Sequence, residues 1–151
     1  MVSLKQESSK MSTRSAIGVM HGSKIKAIYC HWDGYLAHNG RILSEYYDSA
    51  KANELISIGN LSSLAPDIGV KHDFDQKVET CNFYSRDRGE TDQDFQTFTS
   101  LREFARHYDD MGCEVLYLMR LGVWHVVEWT YNGAGDLVMI DLNSVLEKEV
   151  L

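Results

Sequence analysis

Two pairs of β-rich runs constrain this chain more than any other feature. Ser12 to Met20 and Lys24 to Trp32 flank the turn residues His21-Gly22-Ser23. Cys113 to Arg120 and Val123 to Thr130 flank Leu121-Gly122. Such short connections favour an antiparallel return, so each pair is expected to form a hairpin. In the first run Ser15, Ile17 and Val19 share one face, and Arg14, Ala16, Gly18 and Met20 the other. An isolated hairpin is barely stable in water, so the rest of the chain must supply cover.

Helical patterns supply it. Leu36, Ile42, Leu43, Tyr46 and Tyr47 recur at helical spacing, with His38 or Asn39 near the start. Asp48-Ser49 is an N-cap signal for a short helix carrying Ala52, Leu55 and Ile56, which Gly59 would end. The clearest helix opens at Ser100-Leu101-Arg102-Glu103, a capping-box spacing. Its stripe is Leu101, Phe104, Ala105 and Tyr108, and Gly112 closes it.

Other stretches carry weaker signals. Leu61, Leu64 and Ile68 mark a connector around Pro66, and residues 70–79 show no readable period. Thr80 to Ser85 is expected to be a strand, Arg86 to Glu90 a charged turn, and Asp92 to Thr97 a strand or loop. Asn132-Gly133 marks a turn, Leu137 to Ile140 a strand, and Asn143 or Ser144 the start of a terminal helix. The expected fold is α+β: one domain over residues 12–151, a mainly antiparallel sheet built from two hairpins, with helices packed on one face. Residues 1–11 form a polar segment, expected to be a flexible tail, with Met11 a candidate for an alternative or original start.

Charge and cysteine usage narrow the function. A net charge of -7 argues against general nucleic-acid binding, which needs a basic face. Cys30, Cys81 and Cys113 are odd in number and contain no Cys-x-x-Cys, which fits free thiols in a reducing cytoplasm. No apolar run approaches the roughly 18 residues of a membrane span, and the N-terminus lacks an export core.

Chemistry concentrates in Tyr29-Cys30-His31-Trp32-Asp33-Gly34-Tyr35. Together with Thr13-Arg14-Ser15-Ala16-Ile17-Gly18, Phe83-Tyr84-Ser85-Arg86-Asp87-Arg88-Gly89 and Gly122-Val123-Trp124, it resembles a family of small bacteriophage and prophage proteins. The resemblance runs from about Met11 onward. It implies a phage-encoded accessory protein working in the host cytoplasm. Such proteins counter host defence by blocking a protein or sequestering a signal.

Three site chemistries are weighed for that stretch. A cysteine nucleophile at Cys30 would make the chain a Cys/His-dependent hydrolase. Adjacent strand residues face opposite sides, so His31 cannot serve it, and a base would have to come from His38 or His125; the alternative is a buried cysteine. A metal is not expected, because Tyr29, His31 and Asp33 with His38 or His72 make a poor ligand set. The third is a nucleotide-like small molecule. Trp32 or Tyr35 would stack its ring, Arg14, Arg86 and Arg88 would grip phosphate, His31 and Asp33 would bond sugar or base edges, and Tyr29 belongs to the same site. Against it stands the reading that Arg86 and Arg88 simply pair with Asp87 and Glu90, and that Trp32 is core.

The leading expectation is therefore a non-enzymatic binder with no cofactor. The alternative is an acidic inhibitor that docks on a host defence protein. Self-association as a homo-oligomer is compatible with either. Trp124 and Trp129 are expected on opposite faces of one strand.

Overall fold

The computed structural model describes residues 12–131 and 134–149. The expected tail at 1–11, the Asn132-Gly133 turn and the end of the terminal helix lie outside the described residues.

Both hairpins form. β1 (Arg14–His21) pairs antiparallel with β2 (Lys24–Cys30), Ile17 opposite Ile28. β6 (Cys113–Arg120) pairs antiparallel with β7 (Val123–Tyr131). The hairpins join through a parallel β1–β6 contact, and β8 (Ala134–Asp141) adds antiparallel to β7. On the other side, β3 (Leu61–Ser63) runs parallel to β2, and β4 (Asn82–Phe83) antiparallel to β3. The sheet order is β4-β3-β2-β1-β6-β7-β8, with β5 (Gln96–Phe98) antiparallel to β2 off that path.

A π-helical turn, Leu36–Gly40, runs into α1 (Arg41–Tyr46). Next comes α2 (Ser49–Ile58), capped by the Asp48 carboxylate, which accepts the Lys51 amide at 2.9 Å. α3 (Tyr84–Arg88) absorbs the residues expected to be a charged turn. The buried Asp87 carboxylate accepts the Phe83 amide at 2.8 Å, which ends the strand after two residues and starts the helix. α4 (Leu101–Asp110) starts at Ser100, whose hydroxyl accepts the Glu103 amide. Glu103 reaches back to the Thr99 amide and hydroxyl. α5 (Leu142–Glu149) follows β8 directly.

The α+β domain is as expected, but the helices divide between the two faces instead of sharing one. Ile17, Val19, Ile28, Tyr117, Met119 and Val126 pack under Leu43, Leu55 and Leu142 of α1, α2 and α5. Ala16, Ile25, Ala27, Leu116 and Leu118 pack under Phe104, Ala105 and Tyr108 of α4. The reason is in the central strands. Both alternating sets of β1, β2 and β6 are apolar, and each needs a cover to leave water. Trp124 and Trp129 do lie on opposite faces. Trp124 donates its indole N–H to the Tyr47 carbonyl, and Trp129 donates to Asp109 of α4.

Candidate binding site at the end of β2

The stretch after Cys30 is held from beneath by backbone and buried polar groups. β2 ends at Cys30, two residues short of the expected Trp32, and the consecutive His31 and Trp32 amides then donate to the Leu61 and Ser62 carbonyls at 3.1 and 3.0 Å. Asp33 turns the chain with a φ of 56°, in the left-handed region where Asp is tolerated. Gly34 has a different task. Its amide bonds the Thr13 carbonyl and its carbonyl accepts the Tyr117 hydroxyl at 2.7 Å. A Cβ there would sit 2.7 Å from Ser15 Cβ and 2.9 Å from the Thr13 oxygen. Glycine is required for close approach, and the bend belongs to Asp33. Fully buried Asn39 completes the anchor, its amide nitrogen 3.4 Å from Ser15 Oγ, Cys30 Sγ and the Trp32 carbonyl.

The opposite side of this anchored stretch presents the chemistry. Ser15 is the last residue paired with β2, opposite Cys30, and the neighbouring Arg14 lies close enough for its charge to act on His31. Tyr29 Oη lies 2.7 Å from His31 Nδ1. Burial pushes the Tyr29 phenol up to about 12 against the partial opposition of Arg14, so it keeps its proton. Burial, then the Arg14 charge, holds His31 below its ordinary 6.5, so the imidazole is neutral at pH 7. In the Nε2–H tautomer the phenol donates to Nδ1, leaving Nε2–H as a donor for another group. Arg14 is braced at α4's end, donating to the Met111 carbonyl at 3.1 Å. Trp32 stands edge-on to His31, centroids 4.5 Å apart, and is 41% exposed, which removes it from the core.

Tyr84 belongs to the same neighbourhood. It hydrogen-bonds the Ser62 side chain, its phenol is raised by burial, and it is felt electrostatically by Tyr29. Sequence reasoning missed it as a site residue. The available signal was alternation: burying Phe83 turns Tyr84 the other way. Arg88 joins through Tyr84, its guanidinium 5.0 Å from that ring and 4.4 Å from Phe74, while it also pairs with Glu90.

Arg86 is engaged elsewhere. It donates through Nε to Asp87 at 2.9 Å and through Nη1 and Nη2 to the Ile68, Gly69 and Cys81 carbonyls, and it lies over the Phe83 ring. These bonds clamp the loop between β3 and β4. Tyr35 sits one residue before the π-helical turn, its ring beside His38. Cys30 faces the first core, fully buried, with its thiol pushed up to about 12 by burial and with Asn39 as a polar neighbour. All three cysteines are free and buried. Among the described residues no cluster of His, Cys, Asp or Glu is able to hold a metal, and His72 is tied to the Val70 carbonyl and Asn82.

No family model, curated protein or solved structure matches the chain. Among the described residues no helix is long and apolar enough to cross a membrane.

Proposed function

We propose that this chain is a non-enzymatic binding protein that sequesters a small nucleotide-like anion at the end of β2. One observation carries the reading: Arg14, neutral His31 and exposed Trp32 sit together on a rigid support. The Arg14 fork suits phosphate oxygens, His31 Nε2–H suits an acceptor on the ligand, and the Trp32 face suits a base. Tyr84, bonded to Ser62, and Arg88, whose guanidinium lies over the Tyr84 ring, extend the same surface. Binding without turnover accords with Cys30, whose protonated, buried thiol is a poor nucleophile. The phage resemblance supplies the setting, a host cytoplasm in which capture of a small signal would blunt a defence response.

The test is purification from bacteria that carry defence systems, followed by denaturation and mass spectrometry of what is released. An ultraviolet-absorbing compound, rebinding the wild type and lost from His31→Ala and Arg14→Ala, is expected. Consumption of more than one equivalent would instead indicate a hydrolase. A second reading, the acidic inhibitor of a host protein, draws on the β6–β7 turn. There Leu121 is 90% exposed with a φ of 51°, beside a cleft of about 430 Å³ lined by Glu45, Tyr46, Asp48 and Val123. A co-purifying protein in place of a small molecule favours it.

A further inference from the structure

The two edges of the sheet are unequal. One is made by β4 and β5, two and three residues long, and the other by β8, an eight-residue strand whose outer side pairs with no strand among the described residues. Leu137-Val138-Met139-Ile140 occupies the middle of β8 with neither Lys nor Pro along the strand, and the one bulge of β8, at Gly135 with a φ of 86°, lies at its start between Ala134 and Leu137. Edge strands are normally blunted by such residues, by bulges or by short length, because their free N–H and C=O groups template further pairing. α5 leaves the edge clear, since it turns back to pack on β7, β8, α1 and the π-helical turn. Val138 is 38% exposed on one face, and Leu137 and Met139 are half-buried on the other.

We propose that β8 pairs antiparallel with β8 of a second copy, across a two-fold axis at Val138. A two-fold perpendicular to the sheet keeps each face continuous, so paired positions are both odd or both even. Asp136 and Asp141, the charges within the strand, therefore never meet each other, and the like-charge penalty of cross-strand pairs is avoided. Centring on Val138 engages Asp136 to Ile140, clear of the left-handed Gly135. Val138 then faces its own copy, Leu137 faces Met139 and Asp136 faces Ile140. The opposite edge is too short to repeat the contact, so assembly closes at two copies instead of growing into a filament.

Sedimentation of the full chain tests this. Wild type is expected to be a dimer at high micromolar concentration. Val138→Lys sets two ammonium groups face to face and is expected to give a monomer with an unchanged far-ultraviolet circular dichroism spectrum. Val138→Cys, treated with a short bismaleimide, is expected to cross-link into a dimer, because position 138 faces itself and the native thiols are buried. Asp136→Cys is expected to stay uncrosslinked. A monomeric wild type, a Val138→Lys dimer, or equal cross-linking at 136 and 138 would each overturn the proposal.

Discussion

Two arginine clusters in this fold use the same chemistry to opposite ends. Around Arg86, the buried Asp87 carboxylate accepts from the arginine and from the Phe83 and His72 amides, while the guanidinium donates to three backbone carbonyls. That network is closed, and it joins α3 to the long loop after β3. Around Arg14, one donor braces the Met111 carbonyl, Tyr29 orients His31, and Trp32 stays exposed. That cluster faces outward from a support built by Asn39, Gly34 and Ser62. Arginine beside histidine and aromatic rings thus signals a site only where backbone carbonyls have not already claimed the donors.

Asp87→Ala has the largest expected effect. It leaves Arg86 without its carboxylate and two buried amides without an acceptor, and is expected to cost about 3–5 kcal/mol in urea denaturation. The same group sets an acid limit. Burial alone would raise the Asp87 carboxyl, but Arg86 and the Phe83 and His72 amides outweigh it and hold it below its ordinary 3.8. A carboxyl depressed in the folded state stabilises above its unfolded value, and that stability is lost as pH falls through the folded value. Acid unfolding that starts at lower pH than about 4 in wild type is expected to lose this component in Asp87→Ala.

Gly34→Ala tests the support under the open cluster. Its Cβ has no room against Ser15 and Thr13, so a loss of about 1–3 kcal/mol is expected, with binding weakened through displacement of Trp32 and Asp33. A fully stable variant would show that the turn yields and that the site is not rigid.

How much of this was legible beforehand follows the range of the interactions. Hairpins, the Asp48 and Ser100 caps and the α4 stripe are local, and turn residues and periodicity carried them. The parallel β1–β6 join, the second covered face and the clamp at Arg86 are long-range. Nothing near Arg86 in sequence says that Ile68, Gly69 and Cys81 will bring their carbonyls to it. The grouping of Tyr29, His31 and Trp32 was readable because it lies on one short segment. Arg14 came with it through hairpin register, whereas Tyr84 needed β3 and β4 to deliver it. The role of Gly34 depends on Thr13 and Ser15 across the sheet, which nothing beside it in sequence announces.

His31→Ala separates the clusters by function. The side chain is only partly buried and supports no backbone group, so a stability change within about 0.5 kcal/mol is expected, against complete loss of ligand binding in calorimetry. Unfolding comparable to Asp87→Ala would mean that the two clusters do the same structural work, and the comparison would collapse.

The smallest expected effect is a titration shift. His31 is held below 6.5 first by burial and then by the Arg14 charge. Arg14→Ala removes the second cause and keeps the first, so the midpoint is expected to move up without reaching 6.5. Nuclear magnetic resonance of the His31 ring across pH 4–8 reads this directly. The sign also fixes the effect on folding. Because the imidazole binds its proton more weakly in the folded state, protonation favours the unfolded chain, and stability declines as pH drops below about 6.5. Arg14→Ala should soften that decline, since the folded imidazole then accepts a proton more readily. An unmoved midpoint would place Arg14 too far from His31 to share a ligand with it, and would send the search to the Tyr84–Arg88 side of the same surface.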